Sequence, residues 1–141
     1  MELAAGVETV SGDGARHGRP FLRGTRAQER LVHDFLVWPT LLFSVQPDYL
    51  LTYRLYPQDA RRTLVVASIH FAADAFPGQA CFAPEVYDFW TRANAEDQEI
   101  CEQQQLGVES AGWRPGRFTR VEDGVHRFAQ FVVRAYGGKA P

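Results

Sequence analysis

Cysteine, methionine and long apolar runs are all scarce in this sequence. The two cysteines, Cys81 and Cys101, lie far apart and form no CxxC, so neither a zinc ribbon nor a disulfide framework is indicated. A reducing cytoplasm is the default compartment for such usage. The N-terminus, MELAAGVETV, lacks the basic stretch and apolar core of a secretory signal. The longest apolar stretch, LVWPTLLFSV, is broken by Pro39 and is too short to cross a bilayer. The formal net charge of −2 offers no positive surplus for nucleic acid or an acidic membrane surface. The expectation is a soluble chain of single-domain length, with enough aromatic residues to bury a core.

Residues 1–30 are rich in Gly, Arg and small side chains, with GDG at 12–14 and GRP at 18–20. They read as a loop-rich segment of turns with one short strand. The arginines from Arg16 to Arg30 are interleaved with Gly, Pro and acidic residues, which reads as a solvated loop. No internal repeat or low-complexity tract is present.

From Leu31 the character changes. LVHDFLV, TLLFSVQ, YLLTYRLY and TLVVASIHF are rich in β-branched and aromatic residues and read as strands. Gln46-Pro47-Asp48 and Pro57-Gln58-Asp59-Ala60 separate the last three with turn chemistry, so these form an antiparallel meander. Alternation puts Tyr49, Leu51, Tyr53 and Leu55 on one face of their strand, and Val65, Ala67, Ile69 and Phe71 on one face of the next.

After FAADAFPGQACFAP the period becomes helical. Pro84 suits a first helical turn. Val86, Trp90, Ala93, Ile100, Cys101 and Val108 recur at helical spacing; Gly107 and Gly112 weaken the helix, and the RPG at 114–116 ends it. Thr119-x-x-Glu122 is a capping box opening a second helix with the stripe Val121, Val125, Phe128, Val132 and Tyr136, stopped by Gly137-Gly138. Strands grouped apart from helices give an α+β class. A long C-terminal helix across an antiparallel sheet would be a helix-grip arrangement enclosing an apolar cavity.

One carboxylate sits out of pattern. On a wheel of about 100° per residue, Asp97 falls within roughly 20° of the centre of the first helix's apolar stripe. Glu96 lies to the side, and Glu99 and Glu102 point away. A carboxylate on a buried face is costly unless paired or metal-bound. Three explanations remain open at this point: a partner Arg or His, a break that turns Asp97 to solvent, or a metal ligand.

The stretch from Phe89 to Val132 reads FW-x3-N-x2-D-x2-IC-E-x2-Q-x-GV-x-S, then RPGRF-x3-E-x2-V-x2-F-x3-V. With the upstream PDYLLTYRLYP and Arg62-Thr63, it resembles the C-terminal part of the catalytic domain of Rieske non-haem iron oxygenases, the aromatic-ring-hydroxylating type and its monooxygenase relatives. The matching residues are Asn94, Asp97, Cys101, Glu102, Gln105, Gly107, Ser110, Pro115, Gly116, Arg117, Glu122 and Phe128, and the likeness runs from about residue 37 onward. It implies a START-like helix-grip (SRPBCC) domain over residues 31–141, incomplete here and without a Rieske domain. It implies that Asp97 is the carboxylate of a two-His, one-carboxylate triad holding Fe(II), a geometry that leaves positions open for dioxygen. It further implies a 2Fe–2S cluster in the parent protein, a ferredoxin or reductase donor, a homotrimer, and hydroxylation or dealkylation of an aromatic or other small organic substrate. Thr40 and Gln98 depart from the family's usual Asn and Trp.

The chain has no CxH with a later CxxH and no HxxxxH, so the cluster ligands and both iron-binding histidines are missing. His17 falls in the loop-rich segment, His33 and His70 on strands, and His126 on the last helix; a structural role is expected for each. The expectation is therefore a fragment whose missing half bears the Rieske cluster and the histidines, inactive in isolation. Two other readings stand beside it: a non-catalytic helix-grip domain binding an apolar small molecule, and a remnant with only structural value.

Overall fold

The four β-rich runs each become a strand in the computed structural model, which describes residues 1–20, 25, 28–78 and 83–137. Cys81, Arg23, Arg26 and Gly138, which the reading above touched, lie outside the described residues. The strands β1 (His33–Val37), β2 (Leu41–Val45), β3 (Tyr49–Pro57) and β4 (Thr63–Phe71) form one antiparallel sheet in sequence order. The expected three-stranded meander thus gains β1 at its edge.

The turns follow from their residues. Gln46 N–H donates to the Tyr49 carbonyl at 2.9 Å across the β2–β3 turn. At the β3–β4 turn the Asp59 carboxylate accepts from the Arg61 N–H at 2.8 Å, and Gln58 N–H reaches the Arg62 carbonyl at 2.9 Å. Register then pairs Tyr49 with Phe71, Leu51 with Ile69, and Tyr53 with Ala67. Paired residues share a face, so the apolar set read from alternation is a single surface.

Helix α1 (Pro84–Val108) starts at the proline and ends one residue past Gly107. It sits on that surface through Val86 and Trp90. Tyr49, Leu51, Ala83 and Val86 form the buried centre, with Tyr53, Ile69, Phe71, Phe76 and Trp90 packed around it. Each fully buried aliphatic side chain here stabilises the fold by about 1.5–3 kcal/mol.

Within residues 1–20 and 28–30 several contacts tie the N-terminal segment to the rest of the fold. Leu3 is buried, and Glu2 bridges Leu31 as the short strand-like contact expected there. The Arg30 guanidinium donates to the Leu3 and Ala4 carbonyls at 2.6 and 2.9 Å, and Arg16 pairs with Glu29 at 3.4 Å. This corrects the reading of Arg16 and Arg30 as loop charge: their guanidiniums satisfy backbone carbonyls and a carboxylate that the turns leave open. The GDG turn closes with Gly14 at φ 73°, a left-handed conformation that glycine adopts without strain.

The chain divides into two compact units, Met1–Gln103 and Gln104–Pro141. In the second, the capping box forms: the Glu122 carboxylate accepts from the Thr119 N–H at 2.7 Å and the Thr119 hydroxyl at 2.8 Å. A 3-10 turn (Arg120–Glu122) leads into α2 (Asp123–Tyr136). The Gly137 N–H caps its end on the Val133 carbonyl at 3.0 Å. Phe128 and Val132 of the expected stripe are half-buried, whereas Val121, Val125 and Tyr136 are exposed. Sheet and helices together are α+β. No helix among the described residues is long and apolar enough to cross a membrane.

Candidate functional site

Between the sheet and α1 lies a cavity of about 370 Å³. Leu51, Ala67, Ile69 and Phe71 line it from the sheet; Ala83, Tyr87, Trp90, Thr91 and Asn94 line it from the helix and its approach. The helical set arises because positions three and four apart share a face. The walls are mostly apolar and carry no charged side chain among these lining residues.

Two phenols fasten the helix to the sheet beside this cavity. Trp90 Nε1 donates to the Tyr49 hydroxyl at 2.7 Å, and that hydroxyl donates to the Val10 carbonyl at 2.6 Å. One turn along, the Tyr53 hydroxyl donates to Asn94 Oδ1 at 2.7 Å. Burial, and with it the negative charge of Asp48, raises the Tyr49 hydroxyl, against the Trp90 bond. Burial, with the charge of nearby Asp97, raises that of Tyr53. Both phenols stay protonated and remain donors.

Asp97 follows Asn94 by one turn on the unbroken α1. The wheel predicts burial, and this is corrected: Asp97 is exposed, as are Ile100, Leu106 and Val108 of the same helix. The reason is packing: half-burial of α1 extends through Asn94, and all residues from Ala95 to Gln104 are exposed. Cys101 of the expected stripe is likewise exposed, as a free thiol. Neither bland explanation for Asp97 holds in its stated form. The helix does not break, and among the described residues the carboxylate has no hydrogen-bond or ion-pair partner.

The histidines lie on the elements where the sequence put them. His33 stacks on Phe35, His70 meets the Thr52 hydroxyl at 3.1 Å, and His126 meets Gln130 at 3.2 Å. His17 is not a free loop residue: its ring lies 3.0 Å from Asp13 and 3.5 Å from Glu85. Among the described residues no three His, Cys, Asp or Glu side chains form a group able to hold a metal. A two-His, one-carboxylate centre therefore does not fit the described residues alone.

A second feature escaped the sequence reading. Asp48, expected only as a turn residue, is fully buried. Its carboxylate accepts from the Thr9 hydroxyl at 2.5 Å and from the N–H groups of His17 and Gly18 at 2.9 and 3.2 Å. A Cβ at Gly18 would stand 3.1 Å from the Phe71 ring and 3.3 Å from the Asp48 carbonyl, so only glycine allows this approach without movement. The N-terminal segment is thereby clamped to the β2–β3 turn, and Val10 is brought to Tyr49.

Comparison with known proteins agrees with this architecture. The family model for the ring hydroxylating alpha subunit (catalytic domain) matches residues 1–138. The chain is 28% identical over 129 residues to the glycine betaine monooxygenase oxygenase subunit of Pseudomonas aeruginosa strain UCBPP-PA14, and equally to that of strain PAO1. The matched region is 91% of this chain and spans 30% of the length of those relatives.

Proposed function

Because this chain belongs to the family of ring hydroxylating alpha subunit catalytic domains, we propose that it is the part of a Rieske-type oxygenase that supplies the substrate cavity and one iron ligand, Asp97. The observation that carries the reading is Asp97 itself. It is a carboxylate with no hydrogen-bond or ion-pair partner among the described residues, on the continuous α1, one turn beyond the cavity-lining Asn94 and close enough for its charge to raise Tyr53. A carboxylate without a protein partner is open to a cation, and the motif around it matches the family's ligand position.

The two nitrogen ligands and the Rieske cluster are then supplied by polypeptide outside these 141 residues, as is the full helix-grip frame. The oxidising power belongs to iron and dioxygen, with electrons from a ferredoxin or reductase. This chain's work is positional. Tyr53 and Trp90 hold α1 against the sheet, which fixes the helix that bears Asp97. The apolar walls receive a small organic molecule and exclude water around it. A homotrimer and a cytoplasmic setting complete the proposal by family likeness.

The same cavity would serve a metal-free binding domain, the second reading. Intact mass of the native polypeptide, with immunoblotting against this segment, separates the two. The oxygenase reading expects a chain much longer than 15.9 kDa whose added part bears CxH, CxxH and HxxxxH elements. A native chain of 15.9 kDa with no partner supplying two histidines would overturn it.

A further inference from the structure

The cavity's polar groups are unequally committed. Trp90 Nε1 is spent on Tyr49, and the Tyr49 hydroxyl on Val10. Asn94 Oδ1 is spent on the Tyr53 hydroxyl. The phenol donates to Asn94 Oδ1 at 2.7 Å, which turns the amide nitrogen away from Tyr53. Turned the other way, the amide would leave the phenol proton unused. Asn94 Nδ2 is left with two N–H donors and no partner among the described residues, on a side chain that lines the cavity.

We propose that Asn94 is a specificity-determining residue whose amide N–H groups, aimed by Tyr53, select an uncharged, mainly apolar small molecule bearing one acceptor oxygen, such as a ketone or ether. This rests on reading the cavity as the substrate chamber. Phe71 and Trp90 give flat apolar walls for the body of such a molecule, with the Tyr87 and Thr91 hydroxyls also in the lining. Among the described residues the lining has no cation to hold an anion. The volume, about 370 Å³, is at the small end of ligand pockets. A site built to donate a hydrogen bond rejects an isostere lacking the acceptor, because its donor is left unpaired.

The test titrates the native full-length protein with acetophenone and with α-methylstyrene, which carries a methylene in place of the oxygen, by calorimetry. The readout is the ratio of the two dissociation constants, compared between native protein and variants, so that the differing hydrophobicity of the probes cancels. Asn94→Leu is expected to move the ratio about tenfold against the ketone. Tyr53→Phe, which frees the amide to turn, moves the ratio the same way by less. Asn94→Asp, of native size, replaces the donors with acceptors and gives the loss independently should the leucine variant misfold. A ratio unchanged in Asn94→Leu and Asn94→Asp overturns the proposal, as does failure of the native protein to bind either probe. Iron content, measured alongside, keeps the two readings apart. Native iron with an unmoved ratio sinks only the role of Asn94, whereas absent mononuclear iron with a moved ratio sinks only the oxygenase.

Discussion

Trp90 and Tyr49 share the hydrogen bond that joins α1 to the sheet, and the phenol passes a second bond to the Val10 carbonyl. Three segments distant in sequence therefore meet at one buried hydroxyl. Tyr49→Phe keeps the ring and removes the junction, leaving the Trp90 N–H and the Val10 carbonyl unpaired. The expected cost is about 2 kcal/mol, read from urea unfolding with the slope unchanged. A midpoint equal to that of the native protein would mean the junction carries no net stability.

Asp48 clamps the N-terminal segment through three donors, two of them backbone N–H groups. Asp48→Ala strands all three in a buried place, and about 3 kcal/mol of stability should be lost. Asp48→Asn keeps an acceptor oxygen and should lose less. Limited proteolysis should cut the alanine variant first within residues 9–18. Equal cleavage of variant and native protein there would argue against the clamp.

Asp13 gives the segment a pH dependence. Its carboxyl is lowered from 3.8 to about 2 by the His17 ring, then by the Ala15 N–H and the Ser11 hydroxyl. A depressed carboxyl stabilises the folded chain above its unfolded value, and that contribution disappears as the pH falls from 3.8 toward 2. The stability gap between native protein and Asp13→Asn should therefore be full at pH values above this window and close within it. Unfolding midpoints taken across the window check the sign; a gap that widens on acidification contradicts it.

Much of the frame was legible in the sequence. The strands announce themselves by alternation between Pro- and Asp-bearing turns, and Pro84 marks the start of α1. The wheel failed at Asp97 for a definite reason. A stripe records which face a helix is made to bury, whereas exposure depends on what lies against it, and every residue from Ala95 to Gln104 is exposed. Pairing at long separation was also invisible. Tyr53 and Asn94 stand 41 residues apart and Thr9 and Asp48 39 apart, and no local pattern registers such contacts. In the sequence Asn94 is only a motif match; its bond to Tyr53 is visible only in the structure.

The most direct test of the account is iron analysis of the full-length native protein beside its Asp97→Ala and Glu96→Ala variants. Visible absorbance reports the Rieske cluster separately, and circular dichroism confirms folding. The account predicts that Asp97→Ala keeps the cluster signal and loses the iron in excess of it, while Glu96→Ala keeps both. Undiminished excess iron in Asp97→Ala would contradict the assignment of Asp97 as a ligand.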